Sequence, residues 1–226
     1  MRVVTIDGPA GAGKSTVARR LADRLGWRLL DTGAMYRAVA FAGLRAAINL
    51  TDEADWAAIV ATLTVELPPG RVVLNGEEIT AAVRSLEVTR STRYAADSPS
   101  VRSRLVEWQR TFADAEESVV TEGRDQGTIV FPNAFRKFFL TATDEERARR
   151  RHKEYAARAE SITFDAVLRD LRQRDAQDAA RAIAPMRPAA DATVIDSTGL
   201  DLDAVVTSIE SDVLRTLAES SQRGAN

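Results

Sequence analysis

The feature that most limits what this chain can fold into is a glycine loop close to its start. Gly8-Pro9-Ala10-Gly11-Ala12-Gly13-Lys14-Ser15 follows the β-branched run Val3-Val4-Thr5-Ile6 and precedes apolar residues four apart at Val17, Leu21 and Leu25. A short buried strand, a tight loop and a helix stopped by Gly26 are the elements this order predicts. The loop matches G-x-x-x-x-G-K-[ST] without a gap. Its glycines let the backbone curl until successive N–H groups face one oxyanion, and the helix behind adds its positive end. Lys14 is placed to bridge two phosphates, and the Ser15 hydroxyl to take a Mg2+ position. The expected ATP-binding set is Gly8, Pro9, Ala10, Gly11, Ala12, Gly13, Lys14, Ser15 and the adjoining Thr16. A glycine-rich turn that binds nothing is the alternative, and the strand before and helix after it argue against that. Lysine occurs only at Lys14, Lys137 and Lys153, arginine supplying the remaining cations, so a lysine inside this loop is no matter of composition.

Strand patterns recur at about 3–6, 29–30, 119–121, 138–140 and 193–195. Between and after them, helical patterns cover about 34–47, 100–112, 144–159, 164–177 and 202–217, with a further helix cap at Thr51-Asp52-Glu53 and a polar, frayed tail at the end. Strands alternating with helices imply an α/β fold of three layers, α/β/α, around a five-stranded parallel sheet. Residues 64–80 break the pattern: Val65 and Leu67 alternate with polar neighbours, and Asn75-Gly76 is a strong hairpin signal. A small antiparallel β patch is expected there. With 45% hydrophobic residues the chain can bury a sizeable core, and its net charge of −2 provides no basic field for nucleic acid. Cysteine is absent, which excludes a disulfide framework. The N-terminal run lacks the layout of a signal peptide, and no stretch reaches the roughly 18 apolar residues of a membrane span. A cytoplasmic location, with no membrane partner, is the expectation.

Other segments offer themselves to a second anion. Asp31-Thr32-Gly33-Ala34-Met35-Tyr36-Arg37 lies at the end of the second strand, and Arg124-Asp125 at the end of another, where ligands collect in such sheets. Arg174, Asp178 and Arg181 share one helix face, since residues three, four and seven apart align. Such a face is also what a solvated ion-pair helix looks like. Arg147, Arg150 and Arg151 share a face of the preceding helix, either as solvated surface or as a lid closing arginines over a transferring phosphoryl group. Asp31 suits a helix cap, Tyr36 a packing position, and the lone His152 an exposed site. A GTP switch should carry N-K-x-D, which is missing; Asp196-Ser197-Thr198-Gly199 fits D-x-x-G but lies late in the chain.

Taken together, Ile6 to Lys14, Asp31 to Arg37, Gly123-Arg124-Asp125-Gln126-Gly127-Thr128-Ile129-Val130-Phe131-Pro132 and Arg181-Ala182-Ile183-Ala184-Pro185 resemble the signature segments of bacterial cytidylate kinases, in the family's order. The similarity runs from about residue 1 to 217. It implies transfer of the γ-phosphoryl group of ATP, with Mg2+, to CMP or dCMP by a phosphate-loop kinase; that the chain acts as a monomer is a separate expectation. It also implies a core (1–37, 93–145 and 162–226), a small inserted acceptor-binding lobe (38–92) and a helical lid (146–161). Carried over residue by residue, Thr32, Tyr36, Arg37, Arg124 and Arg181 fall around the acceptor nucleotide, and Arg174 and Asp178 near its ribose and phosphate. Arg102 and Asp125 fall where cytosine is read, an assignment that fits its amino donor and ring acceptors. The catalytic set becomes Lys14, Arg124, Arg150, Arg151 and Arg181. Glu122 stands where the family more often has Asp, with Mg2+ held through water as its implied role. Two departures stand out: Arg93 replaces the usual base-touching serine, with Ser91 and Thr92 as nearby substitutes, and the β patch is short.

Overall fold

A computed structural model describes residues 1–157 and 160–223. Arg158 and Ala159, inside the expected lid, and residues 224–226 lie outside the described residues. The chain forms two compact units, one of residues 1–29 with 116–226 and one of residues 30–115.

The first unit is built on β1 (Arg2–Asp7), α1 (Lys14–Leu25) and β2 (Arg28–Asp31), whose last residues pass into the second unit. It resumes with β6 (Ser118–Gly123), a π-helical turn (Gln126–Val130), β7 (Arg136–Thr141), α6 (Asp144–Ala157), α7 (Phe164–Ala180), β8 (Thr193–Asp196) and α8 (Leu202–Arg223). The sheet has five strands in the order β2-β6-β1-β7-β8, as the alternating pattern required. β1 is parallel to β6 on one side, Val4 opposite Val120, and to β7 on the other, Ile6 opposite Phe138. Alternation along β1 then divides its side chains. Val4 and Ile6 join Val17 and Leu21 of α1, Phe138 and Leu140 of β7, and Val206 and Ile209 of α8 in one core. Each such large side chain, removed from water, contributes roughly 2 kcal/mol. Thr5 and Asp7 point the other way, toward the π-helical turn. Ala10, Ala148, Tyr155, Val167 and Leu171 form a second, smaller core that ties the glycine loop to α6 and α7.

The second unit holds α2 (Thr32–Arg45), α3 (Glu53–Val60), three short strands β3 (Val65–Glu66), β4 (Val73–Leu74) and β5 (Glu77–Glu78), then α4 (Leu86–Asp97) and α5 (Pro99–Asp114). The strands make the expected antiparallel patch, and Asn75 and Gly76 turn at φ 49° and 81° as a two-residue type I′ hairpin demands.

Three departures from the sequence pattern have a clear physical cause. α2 starts at Thr32 instead of Ala34, because Asp31 accepts the Ala34 N–H at 2.8 Å and so caps one residue ahead of the helix. α8 continues to Arg223 where a frayed tail was expected; the Ser220 and Ser221 hydroxyls return to the carbonyls four residues back and leave the helix intact. α4 has no counterpart in the pattern. Its buried face is Val88, Ser91 and Ala95, too polar and too β-branched a stretch to read as a helical stripe.

Candidate active site

The glycine loop is shaped from within the first unit. Gly8, at φ 145°, passes so close to β7 that a β-carbon there would lie 2.0 Å from the Leu140 carbonyl oxygen. Gly11 and Gly13 also take positive φ, 75° and 91°, and Gly13 stands at the head of α1. Lys14 is buried and its ammonium donates to the Pro9 carbonyl at 2.7 Å, so the side chain folds back over the loop. Burial first, then the positive charge of Arg124, pushes its pKa down to about 7, although Glu122, Asp7 and Asp178 pull upward. The exposed Ser15 hydroxyl donates to buried Glu122 at 2.8 Å. That leaves the hydroxyl's lone pairs free of this contact, and a hard cation accepts such an oxygen. Among the described residues no cluster of three or more His, Asp or Glu could hold a metal by itself. A Mg2+ sharing its ligands with a nucleotide does not require one.

β6 carries its charged end into the same region. Arg124 donates to Asp178 at 3.0 Å, and Arg181 donates to the other oxygen of that carboxylate at 2.7 Å. Burial raises the pKa of Asp178, but Arg124 and Arg181 outweigh it and hold the carboxyl below its ordinary value. Arg174 is depressed, by burial first and then by Arg124, with Arg151 adding to it. The face of α7 is therefore no solvated ion-pair surface. It gathers Arg174, Asp178 and Arg181 against Arg124, with more positive than negative charge, an arrangement that favours an anion. Asp125, next after Arg124 in the chain, is buried at the head of the π-helical turn.

Asp7 fixes that turn. Its two carboxylate oxygens accept the Gln126 and Gly127 N–H groups at 2.9 and 2.7 Å, and Thr121 donates to the Gln126 side chain at 2.9 Å. Burial pushes the Asp7 pKa up to about 6 against those two hydrogen bonds. Gly127 is required here, since a β-carbon would lie 2.9 Å from the Thr5 hydroxyl.

The arginines of α6 divide. Arg150 donates to the Ser197 carbonyl at 2.7 Å and its hydroxyl at 3.0 Å, and reaches the Ala12 carbonyl at 3.4 Å. Arg151 pairs with Glu154 and lies over the Tyr155 ring. Arg147 is not solvated surface. It is buried and donates to the Ala142 and Ala10 carbonyls, so helix spacing alone misplaced it. His152, expected to be exposed, is half-buried and meets Phe164 edge-on.

In the second unit, Thr32, Tyr36 and Arg37 occupy the first turns of α2, and Arg37 lies 3.6 Å from Asp31. Arg102 of α5 is buried, with its guanidinium 5.9 Å from the centre of the Tyr36 ring. Arg93 lies exposed on α4 and donates to its neighbour Tyr94 at 2.7 Å. Ser91 is buried and Thr92 donates back to the Val88 carbonyl. Two groups escaped the sequence reading: Asp7, and Asp175, which accepts the Ala10 N–H at 3.0 Å. No spacing distinguishes Asp175 from the other acids of α7.

A family model described as cytidylate kinase matches residues 4–215. The chain is 43% identical over 208 residues to the cytidylate kinase of Pasteurella multocida, covering 90% of this chain and 91% of that one. Over 217 residues it is 44% identical to the cytidylate kinase of Pseudomonas fluorescens, with 93% and 94% covered. Among solved structures, an uncharacterized protein from Eubacterium ventriosum matches with a TM-score of 0.53 at 12% identity, over 94% of this chain and 98% of that one, a likeness of fold alone.

Proposed function

The chain belongs to the cytidylate kinase family, and on that premise we propose that it transfers the γ-phosphoryl group of ATP to CMP and dCMP, giving ADP and CDP or dCDP. The observation that carries the reading is the triphosphate-type loop with Lys14 beside Arg124, itself clustered with Arg174, Asp178 and Arg181. A donor phosphate and an acceptor phosphate are both anionic, and a surplus of cations around one lysine suits the charge of their shared transition state.

Gly8 to Thr16 hold the donor. Ser15 would hold Mg2+, with Glu122 behind it as a contact through water, and the ion, arriving with ATP, would neutralise phosphate charge. Thr32, Tyr36, Arg37, Arg102, Arg124, Asp125, Arg174, Asp178 and Arg181 take the acceptor. Asp125 accepts from the cytosine amino group and Arg102 donates to the ring acceptors. An oxygen of the acceptor phosphate attacks the γ-phosphorus in line as the bond to the ADP oxygen breaks, so no strong base is needed. Lys14, Arg124, Arg150, Arg151 and Arg181 neutralise the equatorial oxygens. The acceptor lobe is residues 38–92 and the lid residues 146–161, whose closing excludes water. Among the described residues no helix is long and apolar enough to cross a membrane. The protein serves pyrimidine nucleotide metabolism in the cytoplasm as a monomer.

A coupled ADP-release assay with CMP, dCMP, UMP, AMP, dTMP and shikimate tests this. Release with CMP and dCMP well above the others is expected; preference for another acceptor, or none, would overturn it.

A further inference from the structure

Ala10 has no phosphate-facing side chain to offer, yet both of its backbone polar groups are committed. Its N–H donates to Asp175 Oδ1 of α7 at 3.0 Å, and its carbonyl accepts from Arg147 of α6 at 2.8 Å. Arg147 also pairs with Asp175 itself, donates to Ala142 at the end of β7 at 3.1 Å, and meets Asp144 at 2.5 Å. The Arg147 guanidinium is almost wholly buried and the Asp175 carboxylate largely so, at 5% and 15% side-chain exposure. Water therefore does little to weaken the pair. Apolar packing reinforces the junction: Ala10 lies in one core with Ala148, Tyr155, Val167 and Leu171. A β-carbon on Gly11 would press within 3.1–3.2 Å of Arg147. Pro9 has no N–H, so Ala10 provides the loop's first donor after Gly8, and that donor is turned away to α7.

We propose that Asp175 is a positioning residue for the donor loop. By holding the Ala10 peptide it fixes the direction in which the amides from Gly11 onward face, and it ties that direction to α7, which carries Arg174 and Asp178 and ends at Arg181. The inference rests on the donor half of the function proposed above and on no choice of acceptor.

Calorimetric titration of Mg-ATP in the absence of any acceptor tests it with Asp175→Ala and Asp175→Asn. Asparagine retains an oxygen for the Ala10 N–H; alanine does not. The alanine variant should bind ATP about tenfold more weakly, a loss on the scale of one hydrogen bond to a charged group. The asparagine variant should fall within about threefold of the parent. In steady state the KM for ATP should rise while the KM for CMP stays within twofold. Unchanged ATP affinity in both variants with a lower Tm would mean that Asp175 only staples α7 to the core, and would overturn the proposal. So would equal weakening of both substrates. If Asp175→Ala does not accumulate as folded protein, Asp175→Ser, whose hydroxyl is too short to reach the Ala10 N–H, takes its place beside Asp175→Asn: a KM rise of about tenfold confined to ATP supports the proposal, and no change or a change shared by both substrates overturns it. A parent protein that binds ATP but leaves CMP untouched would sink the acceptor assignment and not this one.

Discussion

Lys14 shows what the glycine loop holds ready for a phosphate. Buried, and repelled by Arg124, its ammonium has a pKa of about 7 instead of 10.5. A triphosphate laid along the loop supplies negative charge and returns the pKa toward its ordinary value. At pH 8 the protein should therefore take up most of one proton on binding Mg-ATP. Calorimetry in buffers of different ionisation enthalpy measures this directly; a binding heat independent of buffer would contradict it. Asp125 is the second test at this scale. Buried at the head of the π-helical turn, it faces a cytosine amino group in the proposed complex, so Asp125→Ala should raise the KM for CMP at least tenfold and barely move that for ATP. Similar shifts for both nucleotides would remove the base-reading role. Lys14 could be read in the sequence because its chemistry depends on neighbours a few residues away. Asp175 and Arg147 could not, because their meaning lies in a contact between loop and helices more than a hundred residues apart.

Elements show the same divide. The hairpin at Asn75-Gly76 and the caps at Asp31 and Asp52 are local chemistry and were legible as such. α4 was not, since tertiary packing of Val88 and Ala95 overrides a weak propensity. Gly8 belongs to this scale because it joins two elements. A methyl group at its α-carbon would run into the carbonyl of Leu140 in β7, and the backbone φ of 145° is itself unfavourable for alanine. Gly8→Ala should cost about 3 kcal/mol and lower the melting temperature by roughly 6–12 °C. Gly76→Ala, where nothing lies within 4 Å, should cost only its positive φ, about 1 kcal/mol. Thermal unfolding of the two variants side by side checks the contrast; equal melting points would deny the close approach.

For the whole molecule, Asp7 gives stability an unusual pH dependence. Its folded pKa, about 6, is above the ordinary 3.8, so the native state binds that proton more tightly than the unfolded chain does. As pH rises from about 4 to 6 this one carboxyl withdraws up to about 3 kcal/mol of stability. Asp144, Asp178 and Asp191, whose pKa values are lowered, act in the opposite sense over their own acidic range. Asp7→Asn should therefore make the unfolding free energy climb more steeply between pH 4 and 6 than in the parent; parallel curves would refute it.

The position of β1 at the middle of the sheet also dictates a schedule. Both of its edges wait for partners near residues 120 and 138. At ribosomal speeds of about 5–20 residues per second, Val3 to Ile6 remain an unpaired apolar strand for on the order of ten seconds. Residues 30–115, a compact unit of their own, are synthesised in the meantime. The nascent protein thus carries its phosphate loop, long before any nucleotide can use it, as the segment most in need of shelter from its neighbours on the polysome.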